Sequence, residues 1–190
     1  MSDFRYHRFP SKYWTDPDFR ALSDDAKLLL FYGRTSQHTN ILGCFVLPKA
    51  YLIDDLGWTP ERLAEPFAEL LANGYFSYDD QTRLLLIPAL IEEDGLDNEN
   101  QGKAAAKVLA ELPKSPLLSD LKRLVERLGK PFLEPLLKQF AELLGEPVPV
   151  PVPVPVTGTV SAPGSVDGFA SPEVEAGIRT GGGRNRYGKH

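Results

Sequence analysis

The sequence predicts a mainly helical fold with one small β-hairpin, followed by a tail too poor in apolar residues to fold. Three observations lead there. Apolar residues recur at helical spacing in successive segments before Gly145. Two β-rich runs, Tyr75-Phe-Ser-Tyr78 and Leu84-Leu-Leu-Ile87, flank the polar turn Asp79-Asp-Gln-Thr-Arg83. Beyond Gly145 the composition switches to alternating Pro and Val, then to Gly, Ser, Thr and Ala.

The elements follow in order. Asp16-Pro17 reads as an N-cap and first helical position of a short turn through Leu22. Ser23 caps a helix over 24–36, with Leu22, Ala26, Leu29, Leu30 and Gly33 at helical spacing and Asp24 and Asp25 in its first turn. Ile41-Leu-Gly-Cys-Phe-Val-Leu47 is a short strand ended by Pro48. A helix runs from Pro48 to Leu56 and is broken by Gly57-Trp58. Thr59 caps the next, with Pro60 at its first position and Gly74 as its left-handed stop. Pro66 inside it should bend or weaken it. The hairpin follows, with its tip at 79–83.

Helix, strand, helix, tight turn, helix, hairpin is the order of a winged helix-turn-helix, with 60–73 as recognition helix and 79–83 as wing. The predicted organisation is therefore a winged helix-turn-helix domain at 1–91, an acidic connector at 92–99, a helical extension at 100–145 and a disordered Pro/Gly-rich tail at 146–190. In the extension a first helix spans about 101–112. Ser115-Pro116 caps a second that ends at Gly129, and Pro131 opens a third that ends at Gly145, the last two forming a helical hairpin. Their leucines are expected mainly to pack on each other and on the preceding domain. The Pro-Val alternation of 147–156 fits an extended polyproline II spacer.

Composition narrows the function. One cysteine, Cys44, excludes an internal disulfide and a Cys/His zinc framework, and inside an apolar strand it reads as core. A reducing, cytoplasmic setting fits it best. Met1 to Pro10 has no apolar run long enough for a signal peptide, and no stretch is apolar enough to span a membrane. His7, His38 and His190 are dispersed, so an enzyme is not expected, nor a cofactor or metal. The adjacent acids Asp54-Asp55 and Glu92-Glu-Asp94 read as solvated surface. The net charge of −5 is uneven: residues 61–100 hold two basic and ten acidic side chains, whereas 101–145 hold eight basic and five acidic.

Trp14-Thr-Asp-Pro-Asp-Phe-Arg-Ala-Leu-Ser-Asp-Asp-Ala-Lys-Leu-Leu29, Leu56-Gly-Trp-Thr-Pro-Glu-Arg-Leu63 and Asn73-Gly74 with the aromatic strand after it resemble phage and prophage winged-helix proteins. Asn98-Glu-Asn-Gln101 and Leu112-Pro-Lys-Ser-Pro-Leu117 continue the resemblance, which covers roughly residues 10–120. It is similar to the bacteriophage replication-initiation, or replisome-organiser, family. The resemblance implies origin DNA binding and recruitment of a host helicase or its loader; the replication role comes from it alone.

Candidate DNA-contacting residues are distributed along the chain. Arg5, Arg8 and Lys12 lie in an N-terminal arm interleaved with aromatics, which suits phosphates and stacked bases. The alternative for the arm is an edge strand whose aromatics, Trp14 especially, pack on the core. Thr59 and Arg62 open the recognition helix, whose exposed positions also include Glu61, Glu65, Glu69 and Asn73, a poor surface for a polyphosphate. Arg83 ends the wing. Lys103 and Lys107 lie one turn apart and, with Lys114, Lys122, Arg123, Arg127 and Lys130, form either a basic face or partners for the acidic 61–99. Arg184 and Arg186 in the Gly-rich terminus suit single-stranded DNA. Expected partners are duplex DNA, single strands at the tail, a host helicase or loader, and a second copy, with no membrane. A winged-helix transcriptional regulator, or a protein-interaction adaptor that has lost DNA binding, are the alternatives.

Overall fold

The computed structural model describes residues 9–145 of the chain. Arg5 and Arg8 of the arm, and the Pro-Val spacer and tail of 146–190 with Arg184 and Arg186, lie outside the described residues. The described part is mainly helical with a small three-stranded antiparallel sheet.

A 3₁₀ turn, Ser11–Trp14, precedes α1 (Pro17–Ala21), whose cap Asp16 accepts from the Asp18 amide. Helix α2 (Asp24–Thr35) is capped by Ser23, whose hydroxyl accepts from the Ala26 amide at 3.1 Å. Strand β1 (Cys44–Val46) leads to α3 (Lys49–Leu56), α4 (Pro60–Ala72), β2 (Ser77–Asp79) and β3 (Leu84–Leu86). α4 continues through Pro66, which is buried. A π-helical turn, Leu90–Asp94, precedes α5 (Glu99–Glu111). Then come α6 (Leu117–Arg127), a 3₁₀ turn at Pro131–Leu133 and α7 (Glu134–Leu144).

The strand order is β1-β3-β2, with Phe45 and Tyr78 both paired to Leu85. Successive side chains of a strand point to opposite faces, and in β3 both faces are covered. Leu85 joins Phe45, Leu47, Phe67, Phe76 and Ile87 in a core made with α2, α3 and α4. Leu84 and Leu86 join Leu42 and Cys44 in a second core made with α5, α6 and α7, where Leu109, Leu121, Leu136 and Phe140 are buried. The leucine faces of the last two helices are accordingly packed, on each other and on the sheet. Residues 100–145, set apart in sequence by the acidic stretch, form the layer over the sheet's second face, and the described residues belong to one compact unit.

Three local expectations are corrected. Residues 11–14 form a 3₁₀ turn, which excludes an edge strand there. Tyr13 of that turn is buried, but Trp14 is 62% exposed, meeting Phe19 edgewise and Phe31 at a tilt from outside. The reason is geometric: a single tight turn can direct only one of two adjacent rings inward. The acids 92–94, expected as solvated surface, lie in the π-helical turn, where Glu93 is largely buried against Arg34, and the residues that follow them cap α5. Asn98 Oδ1 accepts from the Gln101 amide, and Gln101 Oε1 accepts from the Asp97 amide, a reciprocal cap that starts the helix two residues earlier than the periodicity suggests.

Arg34, at the end of α2, is fully buried. Its Nη1 donates to the Tyr13 hydroxyl at 3.0 Å and lies 2.8 Å from Glu93 Oε2, while Tyr13 donates to Glu93 Oε1 at 2.9 Å. The guanidinium also lies over the rings of Phe9 and Tyr13. One charge pair thus ties the N-terminal turn, α2 and the π-helical turn. The Nη1–Oε2 contact is an ion pair and not an aligned hydrogen bond; Nε, Nη2 and Oε2 have no hydrogen-bond partner among the described residues. Burial raises the Tyr13 hydroxyl pKa, against the lowering effect of Arg34. Breaking a buried pair leaves a charge without compensation. Arg34→Met is expected to cost about 3–5 kcal/mol in urea unfolding, and adding Glu93→Gln to it recovers part of the loss. Equal stability of Arg34→Met and the parent chain would contradict this.

Candidate nucleic-acid interface

The turn between α3 and α4 is built by its sequence. Gly57 is left-handed, at φ 62°, and the amides of Gly57 and Trp58 return to the carbonyls of Asp54 and Ile53. That is a Schellman stop, which favours glycine. Thr59 then caps α4, its hydroxyl accepting from the Arg62 amide at 3.3 Å, with Pro60 at the first helical position.

One flank of α4 is fastened to α2. Arg62 donates through Nε and Nη2 to both oxygens of Asp25, at 2.8 and 2.7 Å, and its guanidinium lies 4.7 Å from the Trp58 ring centroid. Ser23, the cap of α2, donates through its amide and hydroxyl to the Glu69 carboxylate. Glu69 is therefore engaged, whereas Glu61, Glu65 and Asn73 are exposed as the sequence suggests. The Arg62 guanidinium holds the Asp25 carboxyl below the usual aspartate range.

The other flank is open. Pro60, Ala64, Ala68 and Leu71 are exposed and, with Leu63, Phe67 and the α3 residues Lys49 and Ile53, line a groove of about 450 Å³. Lys49 does not offer a free charge there. Its ammonium is 2.6 Å from Asp80 and lies over the rings of Phe67 and Tyr78. The outward face of α4 is thus apolar and acidic, with its one cation committed to Asp25.

The hairpin tip is different. Asp79 accepts from the Thr82 hydroxyl at 2.7 Å, from the Ser115 hydroxyl at 2.8 Å and from the Gln81 amide, and these donors hold its carboxyl below the usual range. Arg83 completes the turn at φ 58°, the one non-glycine with positive φ among the described residues. It is exposed and pairs with no described carboxylate. Ser115 brings its neighbour Lys114, likewise exposed and unpaired with any described carboxylate, to the same tip.

The remaining predicted residues are separated. Lys12 is bound to Glu93 at 2.8 Å, beside a cavity of about 300 Å³ that Asp16, Asp18 and Glu92 also line. Lys103 pairs with Glu99 one turn away, while Lys107 is exposed and outside ion pairs with described residues. Arg127 and Lys130 reach back to Glu92 and Asp97, which is the pairing with the acidic stretch that the charge blocks allow. Cys44 is buried, and burial pushes its thiol up to about 12, far from a nucleophile. Among the described residues no three metal-binding side chains cluster, and no helix is long and apolar enough to cross a membrane.

Sequence reasoning missed Arg34, whose place in a helix's last turn resembles an ordinary solvated cation. It also missed the Ser115–Asp79 link, for which a separation of 36 residues leaves no local signal. Compared with protein-family models, curated proteins and solved structures, the chain matches none.

Because the Asp25 pKa is lowered in the folded chain, its pairing stabilises the fold above the unfolded carboxylate pKa. That contribution is lost as pH falls through the lower folded value. Arg62→Ala is expected to move the Asp25 titration up into the ordinary aspartate range, read by carboxyl ¹³C NMR. The gap in unfolding midpoint between variant and parent should shrink as pH falls below that range.

Proposed function

We propose that the chain is a DNA-binding protein of phage or prophage origin, acting in initiation of replication through a winged helix-turn-helix. The observation that carries this is the hairpin tip: Arg83, exposed and unpaired with described carboxylates, ends a turn whose Asp79 binds Ser115, the sequence neighbour of the exposed Lys114. The order α2, β1, α3, tight turn, α4, β2, β3, with β1 paired to β3, supports the winged reading. The replication role rests on the family resemblance of the stretches beginning at Trp14 and Leu56. In this reading the hairpin tip and Lys107 supply phosphate contacts, and the exposed N-terminal end of α4 at Thr59 approaches the duplex. Arg62 reads a base only by giving up Asp25. The arm residues Arg5 and Arg8 and the tail residues Arg184 and Arg186 add contacts by their charge alone.

A second reading, a protein-docking adaptor, is favoured by one observation, the apolar and acidic outward face of α4. A polyphosphate gains nothing from such a face.

Fluorescence anisotropy with phage-origin duplexes against scrambled duplexes, across a salt series, separates the two. Arg83→Ala and Lys114→Ala should each weaken binding and lower the log–log salt slope by about 1. Arg62→Ala should alter sequence preference more than salt slope. Equal and weak binding to both duplexes would remove origin recognition. Absence of binding even at low salt, with and without residues beyond 145, would favour the adaptor.

A further inference from the structure

The groove between α3 and α4 has the shape and charge of a receptor. Its floor is Leu63 and Phe67 and its walls are Ile53 on one side and Pro60, Ala64, Ala68 and Leu71 on the other. Leu71 is 38% exposed, a large apolar side chain left in water at the groove's end. Small residues at 64 and 68 let another backbone approach α4 closely. Residues 60 and 71 are about 16 Å apart along the helix axis, room for about three turns of a docked helix. An extended strand would need an unpaired sheet edge, and two helices offer none.

The charge around the groove selects the occupant. Glu61 and Glu65 lie beside the apolar row on the solvent side of α4, exposed and in no ion pair with a described residue. Asp54 follows Ile53 on α3 and is exposed. Asp80 stands where Lys49 closes the groove, and it already neutralises that lysine. An apolar trough edged by carboxylates repels phosphates and acidic peptides and attracts cations flanking an apolar stripe.

We propose that this groove docks a basic amphipathic helix of a partner protein, with apolar anchors at i, i+3 or i+4 and i+7 and Lys or Arg beside them. This deepens the docking reading of α4, and it holds whether or not Arg83 and Lys114 bind DNA, because neither lines the groove.

The test uses the full chain and three synthetic helical peptides of about fifteen residues. They are a leucine stripe flanked by Lys, the same stripe flanked by Glu, and a scrambled Lys peptide with no stripe. The Lys-flanked helix should bind about tenfold more tightly than the Glu-flanked one, weaken with added salt, and shift the NMR signals of Ala64, Ala68 and Leu71. Ala68→Arg should reduce that binding at least tenfold at an unchanged unfolding midpoint. Leu71→Ala, which only removes apolar surface, should reduce it severalfold and covers the case in which the arginine disturbs α4. Equal binding of the Lys- and Glu-flanked helices at these residues would overturn the basic class while leaving docking intact. Three outcomes would overturn the proposal outright: no peptide moving the three signals, duplex DNA moving them instead, or a dimer of the chain that Ala68→Arg disperses.

Discussion

The described body depends on the double burial of β3. Leu85 faces one core and Leu84 and Leu86 face the other, so a strand of three residues is a wall common to both. Burial of each leucine side chain is worth roughly 1.5–3 kcal/mol, and no residue of β3 is left to face water. This is why the strand reads as an unbroken leucine run, the pattern of a strand covered on both faces, and not as an alternation. It also means that residues on both sides of position 91 share the second core. Ending the chain there would expose Leu42, Cys44, Leu84 and Leu86 together.

A second constraint is how the cations are used. Arg34, Arg62, Lys12, Lys49, Lys103, Arg127 and Lys130 are all held by carboxylates. Most of these pairs are exposed and individually contribute little stability. Their consequence is electrostatic. They neutralise most of the cations that charge counting alone would assign to phosphate, and leave Arg20, Arg83, Lys107, Lys114 and Lys138 exposed and outside ion pairs with described residues. α4 illustrates the division: its Arg62 serves the packing of α4 on α2, and its open flank is left apolar.

Much of the architecture was legible because its signals are local. Asp16, Ser23 and Thr59 cap the helices the sequence assigns them, and Gly57, Gly74 and Gly145 are left-handed stops. β1 and β3 are shorter than the runs 41–47 and 84–87 that contain them, and β2, at 77–79, starts later than the run 75–78 and ends on Asp79, which pairs with Leu84. The candidate site was legible only in part. Net charge per block located the acidic stretch, but charge counts carry no information on who pairs with whom. Arg62 with Asp25 spans 37 residues and Tyr13 with Glu93 spans 80. The burial of Arg34 follows from tertiary packing around Phe9 and Tyr13, which no periodicity encodes.

The Asp79 carboxylate has a consequence beyond the geometry of its turn. It grips Thr82 within the hairpin and Ser115 at the entrance to α6 with the same oxygen, Oδ2. Through it the hairpin tip is joined to the start of α6, whose Leu118 and Leu121 lie in the second core. Loss of that one carboxylate would therefore unfasten the turn and the entrance to α6 together.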